Sequence, residues 1–408
     1  MKNAGIKISL FLIYFVFAAL LNSVGILVER SQTIYEIAKP DAAFLELFKD
    51  LSIAIMAFAV GSFLPRLGFK RAMLISLAVV FFACLGMYFG NSFWSVKLLF
   101  LATGLSFAVV KVAVFALIGY ITDSKKSHSS LMNLIETVFM LGIIFMYVIF
   151  PLFFNDEVDK NAWLRGYLLM AALIAVAFII ILFSKFDITS SPSEGFSKDF
   201  AQMLNLFTKP LIWVFVAFAF LYVMTEQGIM TWLPTFNKDT LKLDAKLSSQ
   251  MAVLLMVSIA LGRFLTGIIA KKVKWFYISV VCVILAVVLV LLVLPLAKNI
   301  DAIEINSLAD LPVVSYLFPL IGLFLAPLYP LVNSTVLSSV EKSKHSSLAG
   351  ILTFFSAVGG TLGSLLIGNL FDSFGGDKVF YLSLIPFALM FFIFFIINRL
   401  TTETTLES

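Results

Sequence analysis

The chain has 408 residues, 61% of them apolar and only 13% charged, with 44 phenylalanines and a formal net charge of +5. Soluble domains are about half apolar and roughly a quarter charged, so this composition excludes an ordinary soluble enzyme, a nucleic-acid binder and a disordered scaffold. It fits a polytopic membrane protein: at ~20 residues per spanning helix, twelve spans use about 240 residues and leave enough for short loops.

The first apolar stretch follows Lys2 and Lys7 and runs to Val28. It is too long for a typical signal peptide and has no small-residue cleavage site, so it is expected as the first span. Apolar windows place six spans at 8–28, 44–64, 72–90, 96–121, 131–154 and 164–184. Six more follow at 210–233, 248–270, 275–296, 312–339, 347–371 and 379–397. The spans must be helices, because lipid offers no partner to an unpaired backbone group. The polar stretch 185–209, with Ser190, Ser191, Pro192 and Ser193, reads as a cytoplasmic linker between two six-helix bundles, 1–184 and 210–408. With the N-terminus inside, the inner loops hold a clear excess of Lys and Arg over Asp and Glu. Both termini are therefore expected in the cytoplasm, with the chain in the cell (inner) membrane. Cys84 and Cys282 lie in apolar runs and read as small core hydrophobes. There is no CxxC and no His/Cys cluster, so neither a metal nor a cofactor is expected.

The two halves echo each other. Residues 125–142 read KKSHSSLMNLIETVFMLG and residues 342–359 read KSKHSSLAGILTFFSAVG, with His128 and His345 at equivalent places. A weaker echo relates GSFLPRLGFKR, Gly61 to Arg71, to GIIAKKVK, Gly267 to Lys274. The chain thereby resembles a transporter of the major facilitator superfamily, built from parallel six-helix repeats. Of that superfamily's basic loop signature it keeps Gly61, Arg66, Gly68, Lys70 and Arg71, with Pro65 where the Asp would stand. The resemblance implies a gating role for Arg66, Gly68 and Arg71.

Within the superfamily the likeness is to the fucose–proton symporter type of sugar permease. Tyr222, Glu226 and Trp232 match its seventh-span pattern, and Asn22 in the first span is kept. Asn133-Leu134 and Leu141-Gly142 match a fifth-span frame, NLxxxxxxLG. Two carboxylates of that family are absent: Ser23 stands for the first-span Asp and Lys111 for the fourth-span Glu. The resemblance implies sugar uptake coupled to protons.

Four charged residues lie within the spans: Lys111, Glu136, Glu226 and Arg263. Each costs roughly 2.5–3.5 kcal/mol on insertion scales, so each needs a partner or a task. Lys111 in the fourth span and Glu136 in the fifth lie at depths their side chains can bridge, which predicts an ion pair, either a structural brace or a bond made and broken during transport. Glu226, beside Gln227 and below Trp232, suits a sugar, unless it lies in water at the outer rim. Gln250, Tyr316, Tyr329 and Asn333 are candidates to complete the lining. Arg263, near the inner end of its span, is expected to snorkel to the cytoplasm and to act in gating. His128 and His345, flanked by basic loops, are expected to be exposed. Trp94, Trp163, Trp213 and Trp275 are expected as interface anchors. Gly359-x-x-x-Gly363 has the spacing of close helix packing. Pro319, Pro327 and Pro330 predict a kinked or unwound tenth span.

These features predict an all-α secondary transporter working by alternating access. Its proton-coupled cargo would be a sugar or, given Lys111, a sugar acid. Protons, one small molecule and the lipid bilayer are its expected partners, with no nucleic acid and a monomeric state. No P-loop for ATP is present. A drug or lipid exporter is the alternative, although the fifth span has no second glycine between Gly142 and Pro151. No metal set or nucleophile–base pair favours an enzyme. A non-transporting membrane receptor stays open.

Overall fold

A computed structural model of the chain describes residues 4–23, 34–37, 39–153, 159, 161–185, 196–239, 245–297, 311, 313–374 and 376–406. The described residues form helices and turns, with no strand among them. The first six membrane helices are α1 (Ala4–Leu21), α2 (Lys39–Leu67), α3 (Phe69–Gly90), α4 (Phe93–Ile121), α5 (Lys125–Ile149) and α6 (Arg165–Phe183). A short helix, α7 (Phe196–Asn205), lies in the linker. Then come α8 (Pro210–Asp239), α9 (Ala245–Ile269) and α10 (Trp275–Ala297). The tenth span is broken into α11 (Val313–Leu317), α12 (Ile321–Leu325) and α13 (Leu328–Leu337). The chain continues as α14 (His345–Phe374), α15 (Gly376–Val379) and α16 (Leu384–Leu406). Ten helical stretches are long and apolar enough to cross a membrane, and the shorter apolar helices Gly5–Leu21 and Val253–Ile269 supply two more. This is the twelve-helix all-α membrane fold that the hydropathy pattern predicts; the end of the first predicted span lies outside the described residues.

Local chemistry explains the punctuation. The turn from α2 into α3 passes through Gly68 at φ 80, a conformation that glycine adopts without a Cβ clash. Ser92 starts α4 by accepting a hydrogen bond from the Ser95 N–H at 3.3 Å. In the tenth span Pro319, Pro327 and Pro330 each lack an N–H, and the helix breaks into a 3-10 turn over Phe318–Leu320 and a second interruption at Ala326 and Pro327.

Contacts divide the chain into two compact units. The first comprises Met1–Asp123, Val138–Thr208 and Val340–Phe354; the second comprises Ser124–Thr137, Lys209–Ser339 and Phe355–Ser408. The N-terminal segments of α5 and α14 thus cluster with stretches that lie apart from them in chain order.

In the first unit, Tyr14 packs against Phe139 with ring centroids 5.2 Å apart and against Phe107 at 6.2 Å. The basic loop after α2 grips the linker: the Arg66 Nε donates to Asp199 of α7 at 2.9 Å, and the Lys70 Nζ donates to the carbonyls of Leu182 and Ser184 at 2.7 and 2.8 Å. Asp199 supplies Arg66 with the carboxylate that the loop itself lacks. Trp163 is a correction to the sequence reading. It is 1% exposed and lies edge-on to Tyr167 at 6.1 Å, so it is a core residue and not an interface anchor. Trp94 and Trp213 are exposed, as interface residues are.

Candidate functional site

The second unit gathers three of the four intramembrane charges. On α8, Tyr222 and Glu226 are one turn apart, and the Tyr222 hydroxyl donates to Glu226 Oε1 at 2.7 Å. Arg263 of α9 reaches the same Oε1 through Nη2 at 2.8 Å. Its Nη1 donates to Glu136 Oε2, from α5, at 3.1 Å. The guanidinium thus lies between two carboxylates from two other helices, the planar fork geometry that suits Arg.

The third contact of Arg263 follows from the proline pattern. In an α-helix the N–H of residue 330 would bond the carbonyl of residue 326, but Pro330 has no N–H to give. The Ala326 carbonyl accepts instead from the Arg263 Nε at 3.4 Å. The broken tenth span therefore helps to seat the cation. Arg263 and Glu136 keep only 5% and 6% of their side-chain surface open, whereas Glu226 keeps 12%. Glu226 is the most accessible member.

Around this cluster the polar side chains continue along α13. Tyr329 stacks on Tyr222 with centroids 5.2 Å apart at 28°, and its hydroxyl lies 3.0 Å from that of Ser356 on α14. Asn333, one turn further along α13, is fully buried, and neither of its amide atoms has a hydrogen-bond partner among the described residues. Gly359 and Gly363 bring α14 against the backbone of α8: a Cβ at Gly359 would meet the Phe220 carbonyl at 2.6 Å, and one at Gly363 would run into Met224. Close packing there holds the turn of α8 that carries Tyr222 and Glu226.

Several sequence expectations change. Arg263 does not snorkel: it is 4% exposed and held by carboxylates, since pairing inside the protein answers the same desolvation that snorkelling would relieve. Glu136, matched to Lys111 in the sequence, has Arg263 as a partner. Lys111 belongs to the first unit, where its ammonium lies 5.8 Å from the Phe107 ring and 5.7 Å from the Phe115 ring. Gln227 is exposed, and Trp232 is half-buried. The Asn22 amide donates to the Ala18 carbonyl at 2.9 Å, capping the end of its own helix. The side chain of Gln250 lies outside what is described. Pro327 sits at the N-terminal junction of α13, and Arg71 is exposed.

The histidines are also corrected, since both are buried at 2% exposure. In the second unit His128 Nδ1 lies 2.7 Å from the Ser334 hydroxyl of α13, and Ser130 donates to the Gly267 carbonyl of α9 at 2.6 Å. In the first unit His345 packs against Gly119 of α4, and Ser347 donates to the Gly61 carbonyl of α2 at 3.3 Å. Each His-Ser-Ser segment thus buries its histidine and places its second serine on the glycine that opens the matching basic loop. Basic neighbours suggested a solvated loop. The repetition was the signal that both segments do the same job.

Among the described residues, apolar helices of membrane-spanning character and a buried, mutually paired charge cluster are features of a membrane transporter. Residues 8–364 match the family model of the Major Facilitator Superfamily, and the chain belongs to that family. A Protein TsgA homolog of Buchnera aphidicola subsp. Acyrthosiphon pisum (strain Tuc7) is 19% identical over 385 residues, covering 94% of this chain and 93% of the relative. Among solved structures, the E. coli fucose:proton symporter FucP matches with a TM-score of 0.78 at 15% identity, over 98% of this chain and 99% of that one. The human organic anion transporter MFSD10 matches with a TM-score of 0.71 at 17% identity, over 96% and 98%. These structural likenesses concern the fold.

Proposed function

We propose that the protein is a proton-coupled symporter that carries a sugar or a sugar acid into the cell by alternating access. In this reading it works as a monomer in the inner membrane, with both termini cytoplasmic and no cofactor. The observation that carries the reading is the single guanidinium of Arg263 shared between Glu136 and Glu226. Protonating Glu226, the most open of the three, removes the charge that holds it to Arg263. Proton occupancy then biases how α5, α8 and α9 are held together, which is the requirement for coupling a proton to a conformational change. The stacked Tyr222–Tyr329 pair offers an aromatic face to a sugar ring, and the Asn333 amide offers a donor and an acceptor to hydroxyls. FucP, with the same fold, is a fucose:proton symporter.

The test is uptake by purified protein in proteoliposomes under an inward proton gradient, with labelled neutral sugars and sugar acids. Accumulation should follow the gradient and collapse with a protonophore. Glu226→Gln should abolish accumulation while exchange of cargo across the membrane continues. Full gradient-driven accumulation by the Gln variant would remove Glu226 as the coupling group.

A further inference from the structure

We infer that the cargo bears a carboxylate, and that this carboxylate takes the place of Glu226 on Arg263 once Glu226 is protonated. The inference rests on the proton-coupled reading above and narrows its substrate to hydroxylated monocarboxylic acids. It starts from the donors of Arg263. Nη1 is committed to Glu136, Nη2 to Glu226 and Nε to the Ala326 carbonyl. Each of its three nitrogens thus already has a protein acceptor, two of them carboxylates, and a ligand carboxylate would compete with these for the fork.

Glu226 is the displaceable one. It is twice as open as Glu136, at 12% against 6%. Its Oε1 already receives the Tyr222 hydroxyl as well as Arg263 Nη2. A protonated Glu226 keeps a carbonyl oxygen for Tyr222, so it stays anchored to its own helix after losing its hold on Arg263. The guanidinium then keeps Glu136 as its one carboxylate partner, and the place that Glu226 held at Nη2 is open to another acceptor. An incoming carboxylate fills that position with matching fork geometry. A hydroxyl of a neutral sugar accepts a hydrogen bond but does not replace the charge.

Charge conservation points the same way. A proton and a monocarboxylate entering together leave the net charge of the site as it was. A proton with a neutral sugar would instead take the three side chains from a net charge of −1 to neutral and leave Arg263 one carboxylate where the fold provides two. The cycle closes without other reactants: the proton binds a Glu226 oxygen from outside and leaves to the inside. The re-ionised Glu226 then returns to Arg263 and expels the carboxylate. The rest of the cargo meets the Tyr222–Tyr329 stack and the two unpartnered amide atoms of Asn333, a setting for hydroxyl groups.

The experiment uses proteoliposomes with an inward proton gradient, D-gluconate and D-glucuronate as acid probes, and D-glucose and L-fucose as neutral ones. The acids should accumulate without dependence on an imposed potassium-diffusion potential, and neutral sugars should neither accumulate nor compete. Arg263→Lys, which keeps the charge and loses the fork, should raise the KM for the acids at least tenfold. Because that variant can fail to fold, binding is also read by thermal shift in Glu226→Gln. This variant imitates the protonated state and should bind D-gluconate at least tenfold more tightly than the unmodified protein at pH 7.5. Gradient-driven uptake of the neutral sugars, or Glu226→Gln binding acids no better, overturns the carboxylate inference and leaves proton coupling standing. Loss of gradient response for all four probes overturns the coupling reading and this inference with it.

Discussion

Arg263 and Lys111 are both cations in the interior of long apolar helices, and their surroundings differ. Arg263 is met by carboxylates from α5 and α8 and by a carbonyl released at a proline. Lys111 is half-buried, and the rings within reach of its ammonium, Phe107 and Phe115, belong to the turns before and after it on α4. Those ring contacts lie within one helix, whereas the Arg263 cluster requires three helices to converge.

The comparison is tested hardest by removing each cation. Arg263→Met leaves two carboxylates at membrane depth around an uncharged side chain, and breaking such a buried pair from one side costs about 3–5 kcal/mol. The expected outcome is a large fall in the thermal midpoint of the detergent-solubilised protein. Most of that fall should be recovered in the triple variant Arg263→Met, Glu136→Gln, Glu226→Gln, because no uncompensated charge remains. Were Arg263→Met no more destabilising than Lys111→Met, the contrast between the two cations would be gone.

Tyr222→Phe probes the same cluster from its neutral side. It removes the hydroxyl that donates to Glu226 Oε1 and nothing else. A hydrogen bond to a charged group contributes about 1.5–3 kcal/mol, so the variant should fall between the two cation replacements. Lys111→Met removes the contacts with the Phe107 and Phe115 rings, which contribute about 1 kcal/mol. If Arg263 seats the cargo carboxylate, Lys111→Ala also leaves the preference for acids over neutral sugars in the uptake assay. Loss of that preference would move the seat to α4.

The contrast also shows where sequence reading reaches and where it stops. Hydropathy places the spans because lipid leaves the chain no other way to satisfy its backbone. The prolines of the tenth span announce its breaks because a missing N–H acts within one turn. Partner choice between charges was legible only as far as chain proximity goes. Lys111 and Glu136, on consecutive spans, are the pair that chain order suggests; the Arg263–Glu136 bond, which joins residues far apart in the chain, is not suggested by it. The clue that would have found it was also local: Pro330 frees the carbonyl of residue 326, and a freed buried carbonyl needs a donor such as Arg263. The linker helix α7 was missed because its ten residues, with Asp199 and Lys198 among them, read as polar loop. Its apolar side packs where Phe200 meets the Phe58 ring of α2 and where Met203 is buried.

The two His-Ser-Ser segments offer the finest test, because one repeat makes its contacts more tightly than the other. Ser130 donates to Gly267 at 2.6 Å in a buried setting, and Ser347 donates to Gly61 at 3.3 Å in a partly buried one. A shorter, drier hydrogen bond loses more when its donor is removed, because the carbonyl left behind has no water to turn to. Ser130→Ala should therefore cost about 1 kcal/mol and Ser347→Ala about half of that. The Ser130 bond also belongs to the unit that holds Arg263, joining α5 to α9 on the same two helices that the Glu136–Arg263 pair joins. Loosening it should make the cost of Glu136→Gln non-additive in a double-mutant cycle with Ser130→Ala, and additive with Ser347→Ala. Equal coupling to both serines would mean that the α5–α9 seam does not act as one element, and Arg263 would then bind its carboxylates independently of the Ser130–Gly267 contact between those helices.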